Sequence, residues 1–298
     1  MQGNFDVAHL KEVHRRIFQD LPALGITNPP PGKFREPVPK GEDWIKKRPL
    51  KSLGDGAFSF ICYSPMEKDD LNQLDKTLQA ANPAKLGKLN PQNFAKSMSE
   101  LYARLDYVHP FHEGNSRTLR VFTHQLAKES GYELDWERHN ASDRKRDFLY
   151  IARDREVGKL AFPTIRKDAA LQLAVLTSDK YGANPSLQEL LEKSIRPTRA
   201  LAFEQLPEKE AREQHPELGA AFDDLKRAGE YYDKKMPDKK EASMQAVKAH
   251  IQTRLNEGET QNFTPEKQDA TKAEPTKAPS ARAANAKPKE EPEPERER

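Results

Sequence analysis

The stretch HPFHEGNSRTLR, His109 to Arg120, sets a histidine, a carboxylate, a glycine, an asparagine and two arginines along one short loop and the turn after it. Upstream, Phe94, Met98, Leu101, Leu105 and Val108 recur at helical spacing, and Asn90-Pro91 marks the start of that helix. Downstream, Arg117 to Ser130 predicts a second helix with Leu119, Phe122 and Leu126 inward and Gly131 as its stop. A loop that enters a helix N-terminus presents unpaired backbone N–H groups and the positive end of a dipole, which suits an anion. Gly114 lets the backbone come close to a ligand, Asn115 adds side-chain donors, and the forks of Arg117 and Arg120 suit phosphate oxygens. Glu113 has the chemistry to hold a Mg²⁺ that bridges phosphates, and His109 has the natural pKa of a general base. Phosphate binding beside a base points to phosphoryl or nucleotidyl transfer.

Working outward, Leu10, Val13, His14, Ile17, Phe18 and Leu21 predict a first helix over 6–21. The prolines and glycines of 23–43 predict a long loop, a feature more often functional than idle. Asp55-Gly56, followed by AFSFICY, predicts a β-hairpin over Leu50–Tyr63, expected to be the only β structure. Ser64-Pro65-Met66-Glu67 reads as a capping box for a helix whose buried stripe is Leu71, Leu74 and Leu78. Helices over 142–157 and 163–179 close the compact part. Residues 181–258 form a more polar helical extension, with Met244, Val247, Ile251 and Leu255 as the seam of a helix over 238–257. Residues 259–298 carry no large apolar side chain after Phe263, so disorder is expected there.

The formal net charge is +3, from 50 basic and 47 acidic residues, which implies neither nucleic acid nor membrane as a partner. Cys62 is the only cysteine, which fits a reducing compartment. No apolar run resembles a signal peptide or approaches the length of a membrane span. A cytoplasmic site of synthesis is expected, with later secretion into a host cell left open.

The motif closely resembles the signature of the Fic family, His-Pro-Phe-x-Asp/Glu-Gly-Asn-Gly-Arg-x-x-Arg, and the resemblance extends over about residues 5–180. It implies a mainly α fold: a Fic-type helical core over 1–180 with a small hairpin flap, then the extension and the tail. It further implies transfer of AMP from ATP to a Tyr, Thr or Ser hydroxyl of a target protein, with release of pyrophosphate. His109 would be the base, Phe111 the core anchor of the loop, and Glu113 the Mg²⁺ ligand. Gly114, Asn115, Ser116 and Arg117 would cradle the phosphates, and Arg120 would reach the γ-phosphate. The target would lie along the flap as an added strand. Ser116 departs from the pattern, where glycine is usual, and its side chain is expected to face the phosphate site. In the family's Doc branch a lysine at this place accompanies phosphate transfer, so another donor remains the alternative. Thr253-Arg254-Leu255-Asn256-Glu257-Gly258 resembles the inhibitory Ser/Thr-x-x-x-Glu-Gly/Asn of the family, which would set Glu257 against Arg120. A small antitoxin-like partner is the other expected mode of control.

Three further expectations compete with these. His109, His112, His124 and His139 are a fragmentary metal set, without any HExxH or CxxC spacing. GKFREPVPK is either a polyproline ligand or only a loop. The chain as a whole is either an enzyme or a binding module on a Fic scaffold that has lost catalysis.

Overall fold

The computed structural model describes residues 3–260, so most of the expected disordered tail over 259–298 lies outside the described residues. Helices dominate, joined by two small antiparallel sheets of two strands each. Helix α1 (Val7–Phe18) is capped by Asp6, whose side chain accepts from the His9 N–H, and it buries Leu10, Val13, His14 and Phe18. It stops short of Leu21 because Pro22 begins a separate 3-10 turn.

The hairpin pairs β1 (Trp44–Pro49) with β2 (Phe58–Tyr63), Trp44 opposite Tyr63 and Pro49 opposite Phe58. It therefore begins at Trp44 rather than Leu50. Asp55-Gly56 is part of a wider connection, because Leu50 is drawn into a buried cluster with Ile151 and Tyr181 and a 3-10 turn follows it. Helix α2 (Lys68–Gln79) takes its capping box from Glu67 and Asp70, not from Ser64 and Glu67. Met66 adopts φ 61°, which breaks the chain between the two, and the Ser64 hydroxyl donates instead to the Val108 carbonyl at 3.2 Å. Leu71 is 40% exposed, leaving Leu74 and Leu78 as the buried stripe.

After the short α3 (Pro83–Leu86), α4 (Pro91–Val108) is the central helix. The Asn90 side chain caps it, and all five of its predicted inward residues are buried. Helices α5 (Asn115–Glu129), α6 (Asp143–Ala161) and α7 (Asp168–Lys180) complete the surround. A second sheet pairs β3 (Tyr132–Leu134) with β4 (Ile195–Pro197), so the hairpin is not the only β structure. Three-residue strands this far apart leave no readable alternation.

Helix α8 (Leu187–Glu192) buries Leu187, Leu190 and Leu191 in the same apolar cluster as α4. The rest of the extension, α9 (Thr198–Gln205), α10 (Glu208–Gln214), α11 (Gly219–Lys235) and α12 (Lys240–Asn256), closes over a second cluster. Phe203, Leu218, Phe222, Ile251 and Leu255 form it, with Val247 packed alongside. Among the described residues no helix is long and apolar enough to cross a membrane.

Candidate active site

The motif loop hangs between two helix ends. His109 closes α4 in the left-handed region (φ 47°, ψ 58°), and its N–H donates to Leu105 at 3.2 Å. Pro110 then forbids continuation. Phe111 is fully buried, stacked on the His14 ring at 3.9 Å and set edge-on to Phe34 at 5.2 Å. Truncating a ring so placed typically costs about 3–5 kcal/mol. Asn115 is turned inward rather than toward a ligand. Its Oδ1 accepts from the Phe111 N–H at 2.9 Å and its Nδ2 donates to the Phe111 carbonyl at 2.6 Å. Gly114 opens α5 at φ 84°, where a Cβ would come within 2.3 Å of the Phe18 ring, so both conformation and space exclude a side chain there. The first turn of α5 consequently presents its backbone N–H groups beside the exposed Arg117, whose guanidinium lies 4.6 Å over the same Phe18 ring.

Two supports of this loop carry no signal in the motif. The Gly32 N–H donates to His14 Nδ1 at 2.9 Å, which places the His14 proton on Nε2, and that nitrogen donates to the Glu113 carbonyl at 3.1 Å. Arg35, from the proline-rich loop, donates Nε to the His109 carbonyl at 2.8 Å and Nη2 to the carbonyls of Ser64 and Val108 at 2.6 and 3.2 Å. Its guanidinium also lies 4.0 Å over the Trp44 ring. The GKFREPVPK segment thus plugs the carbonyl end of α4, where a cation is favoured by the helix dipole.

His109 is buried against the flap. Tyr63 stacks on its ring at 3.7 Å, Trp44 meets it edge-on at 5.4 Å, and Nδ1 lies 3.4 Å from Asp106 Oδ1. Burial pushes the imidazole below its ordinary value, with Asp106 pulling the other way. The shift favours the neutral imidazole. Burial alone would raise Asp106, but Arg153 and His109 hold its carboxyl well below the usual carboxylate range. Arg153, also buried, donates Nη2 and Nε to Asp106 Oδ2 at 2.7 and 3.2 Å. Its remaining Nη1 donates to the Ser116 hydroxyl at 3.1 Å, so the Ser116 side chain faces α6 and not the phosphate site expected for it.

Glu113 is exposed, 3.9 Å from Lys46 on the flap. A solvent-facing carboxylate beside a helix N-terminus suits a hard cation shared with phosphates. Arg120 donates to Asn140 at 3.1 Å and lies over Trp136. Glu257 does not meet it. Glu257 caps α12 and shares a cleft with Asn90 and Pro91, at the opposite end of α4 from His109. That helix of 18 residues is about 27 Å long, far beyond any charged fork. The four histidines do not converge either: among the described residues no group of three or more metal-ligating side chains forms.

His14, His109 and His139 are all held below the ordinary imidazole value by burial. Unfolded histidines take up protons near about 6.5, so below that pH the unfolded chain binds more protons than the fold, and stability drops as pH falls. The denaturant midpoint should be lower at pH 5.5 than at pH 7.5 (roughly one unit either side of that value). Equal midpoints would mean that the rings are already protonated in the fold.

Residues 4–127 match the model of the Fic/DOC family. Over these residues the chain is similar to the Fic/DOC family. Protein adenylyltransferase VbhT of Bartonella schoenbuchensis is 30% identical over 138 residues, 46% of this chain and 24% of that protein. A protein adenylyltransferase of Bartonella henselae is 29% identical over 136 residues, 44% of this chain and 23% of that one. The chain thus spans less than a quarter of the length of either relative. Among solved structures, BepC of Bartonella tribocorum, a VirB-translocated effector with bound AMPPNP, matches over 66% of this chain and 77% of its own, at 21% identity and a TM-score of 0.38.

Proposed function

We propose that the chain transfers AMP from ATP to a hydroxyl of a target protein. The observation that carries this reading is a His109 buried against Asp106 at one end of the motif loop and the open N-terminus of α5 at the other. His109 takes the acceptor's proton. Glu113 would hold Mg²⁺, which when bound would neutralise phosphate charge. The backbone of Gly114, Asn115 and Ser116 and the fork of Arg117 hold the phosphates, and Arg120 exchanges Asn140 for the γ-phosphate. The target hydroxyl is presented by a strand added to the outer edge of β1, which has β2 as its one neighbour in the sheet. The bond from Arg153 to the Ser116 hydroxyl supports ATP as donor, because it turns that side chain away and leaves the loop backbone as glycine would. Control then falls to a separate small protein rather than to Glu257. The names of the adenylyltransferase relatives support the same chemistry.

The test is mass spectrometry of proteins incubated with the chain and Mg²⁺-ATP, with His109→Ala as control. An AMP mass on a Ser, Thr or Tyr that disappears in the control is expected. A phosphate mass would redirect the reading to phosphate transfer, and no adduct with any nucleotide would leave a binding module.

A further inference from the structure

Asp106 precedes His109 by three residues, on the last turn of α4, and both are buried. Its two oxygens are used unequally. Oδ2 takes both N–H groups that Arg153 offers, whereas Oδ1 receives no hydrogen bond and faces His109 Nδ1 at 3.4 Å. Nδ1 is itself buried without a hydrogen bond. Two buried polar atoms that face each other and have no other use are unsatisfied unless one gives the other a proton. A carboxylate beside a guanidinium is ionised and can only accept, so the proton belongs on Nδ1. Stacking on Tyr63 and the edge of Trp44 confine the ring in this orientation.

We infer that Asp106, oriented by Arg153, is a positioning residue that keeps the His109 proton on Nδ1 and leaves Nε2 as the atom that accepts the proton of the target hydroxyl. The inference rests on His109 being the base of the proposed transfer. In that step the hydroxyl oxygen bonds to the α-phosphorus, and the bond from that phosphorus to the bridging oxygen breaks. Pyrophosphate departs with the electron pair, and the hydroxyl proton moves to Nε2. The imidazolium so formed directs Nδ1–H at the Asp106 carboxylate, which offsets the new charge until the proton passes to solvent. Among the strongest charges acting on the ring, Lys46 and Arg153 are cationic and Asp106 opposes them.

Arg153 also dictates what Asp106→Asn would do. It needs an acceptor, so it would hold the amide oxygen and leave the amide NH₂ facing Nδ1. Nδ1 must then accept, and the proton moves to Nε2, which abolishes the base without removing the ring. The experiment is ¹⁵N NMR of the imidazoles in the full chain, with the His109 signal assigned by its loss in His109→Ala, alongside kcat and the KM for ATP. The wild-type ring should carry its proton on Nδ1. In D106N the proton should shift to Nε2 and kcat should fall about 10²–10⁴-fold, with KM changed far less. An Nε2-protonated ring in the wild type would overturn the inference, as would a folded D106N that keeps wild-type kcat. The wild-type spectrum decides the matter even if D106N does not fold. An Nδ1-protonated ring in a chain that transfers nothing from any nucleotide would sustain the tautomer and overturn the proposed function instead.

Discussion

Replacing His109 by alanine is expected to slow transfer by about 10²–10⁴-fold, the usual contribution of a general base, while Mg²⁺-ATP binds nearly as before. The two effects separate because the ring and the proposed phosphate cradle sit on different helices. His109 closes α4, and the N–H groups and Arg117 belong to α5. What joins them, Phe111 and Asn115, makes its bonds without the imidazole. Calorimetric titration of ATP against wild type and variant, next to labelling rates at saturating ATP, measures both. Undiminished labelling would remove His109 from the reaction, and a parallel loss of ATP affinity would mean that the loop had moved.

The second large effect concerns stability. Arg153→Met should destabilise the fold by about 3–5 kcal/mol, because removing one partner of a buried pair leaves the other charge uncompensated. The Asp106 carboxylate would lose both of its guanidinium bonds, and Ser116 would lose its donor. The neighbouring Asp154 keeps Arg48 and the Ser59 hydroxyl, at 3.1 and 2.5 Å, so the damage should centre on Asp106. Urea unfolding followed by circular dichroism gives the difference. A loss under about 1 kcal/mol, the range of an exposed pair, would show that water reaches the carboxylate.

What the sequence disclosed follows from how local each signal is. Helix α4 was legible because five apolar residues keep one face from Phe94 to Val108, and the motif because its residue types are rare in that order. The flap's first strand was hidden: Trp-Ile-Lys-Lys-Arg-Pro has no apolar alternation, since its long cations serve specific partners. Lys46 reaches toward Glu113, and Arg48 reaches Asp154. The cap of α2 was misplaced by one short motif because Ser64 is used by α4. Arg153 stands among charged neighbours in Arg-Asp-Arg-Glu, where composition alone predicts a solvated face, yet it is buried. The same limit concealed Arg35 and His14. Their importance lies in what they meet after 74 and 99 residues of intervening separation.

The family match ends at residue 127, and all twelve motif positions lie inside it. The charge that balances Asp106 does not: Arg153 comes 33 residues after Arg120 (153 − 120 = 33). During synthesis the signature therefore leaves the ribosome well before its counter-ion, and until α6 has docked, the Asp106 carboxylate below the His109 ring lacks its Arg153 bonds. A fragment cut at the edge of the match would stay in that state permanently. The smallest unit that balances Asp106 extends to this cation on α6, past the last recognisable letter of the motif.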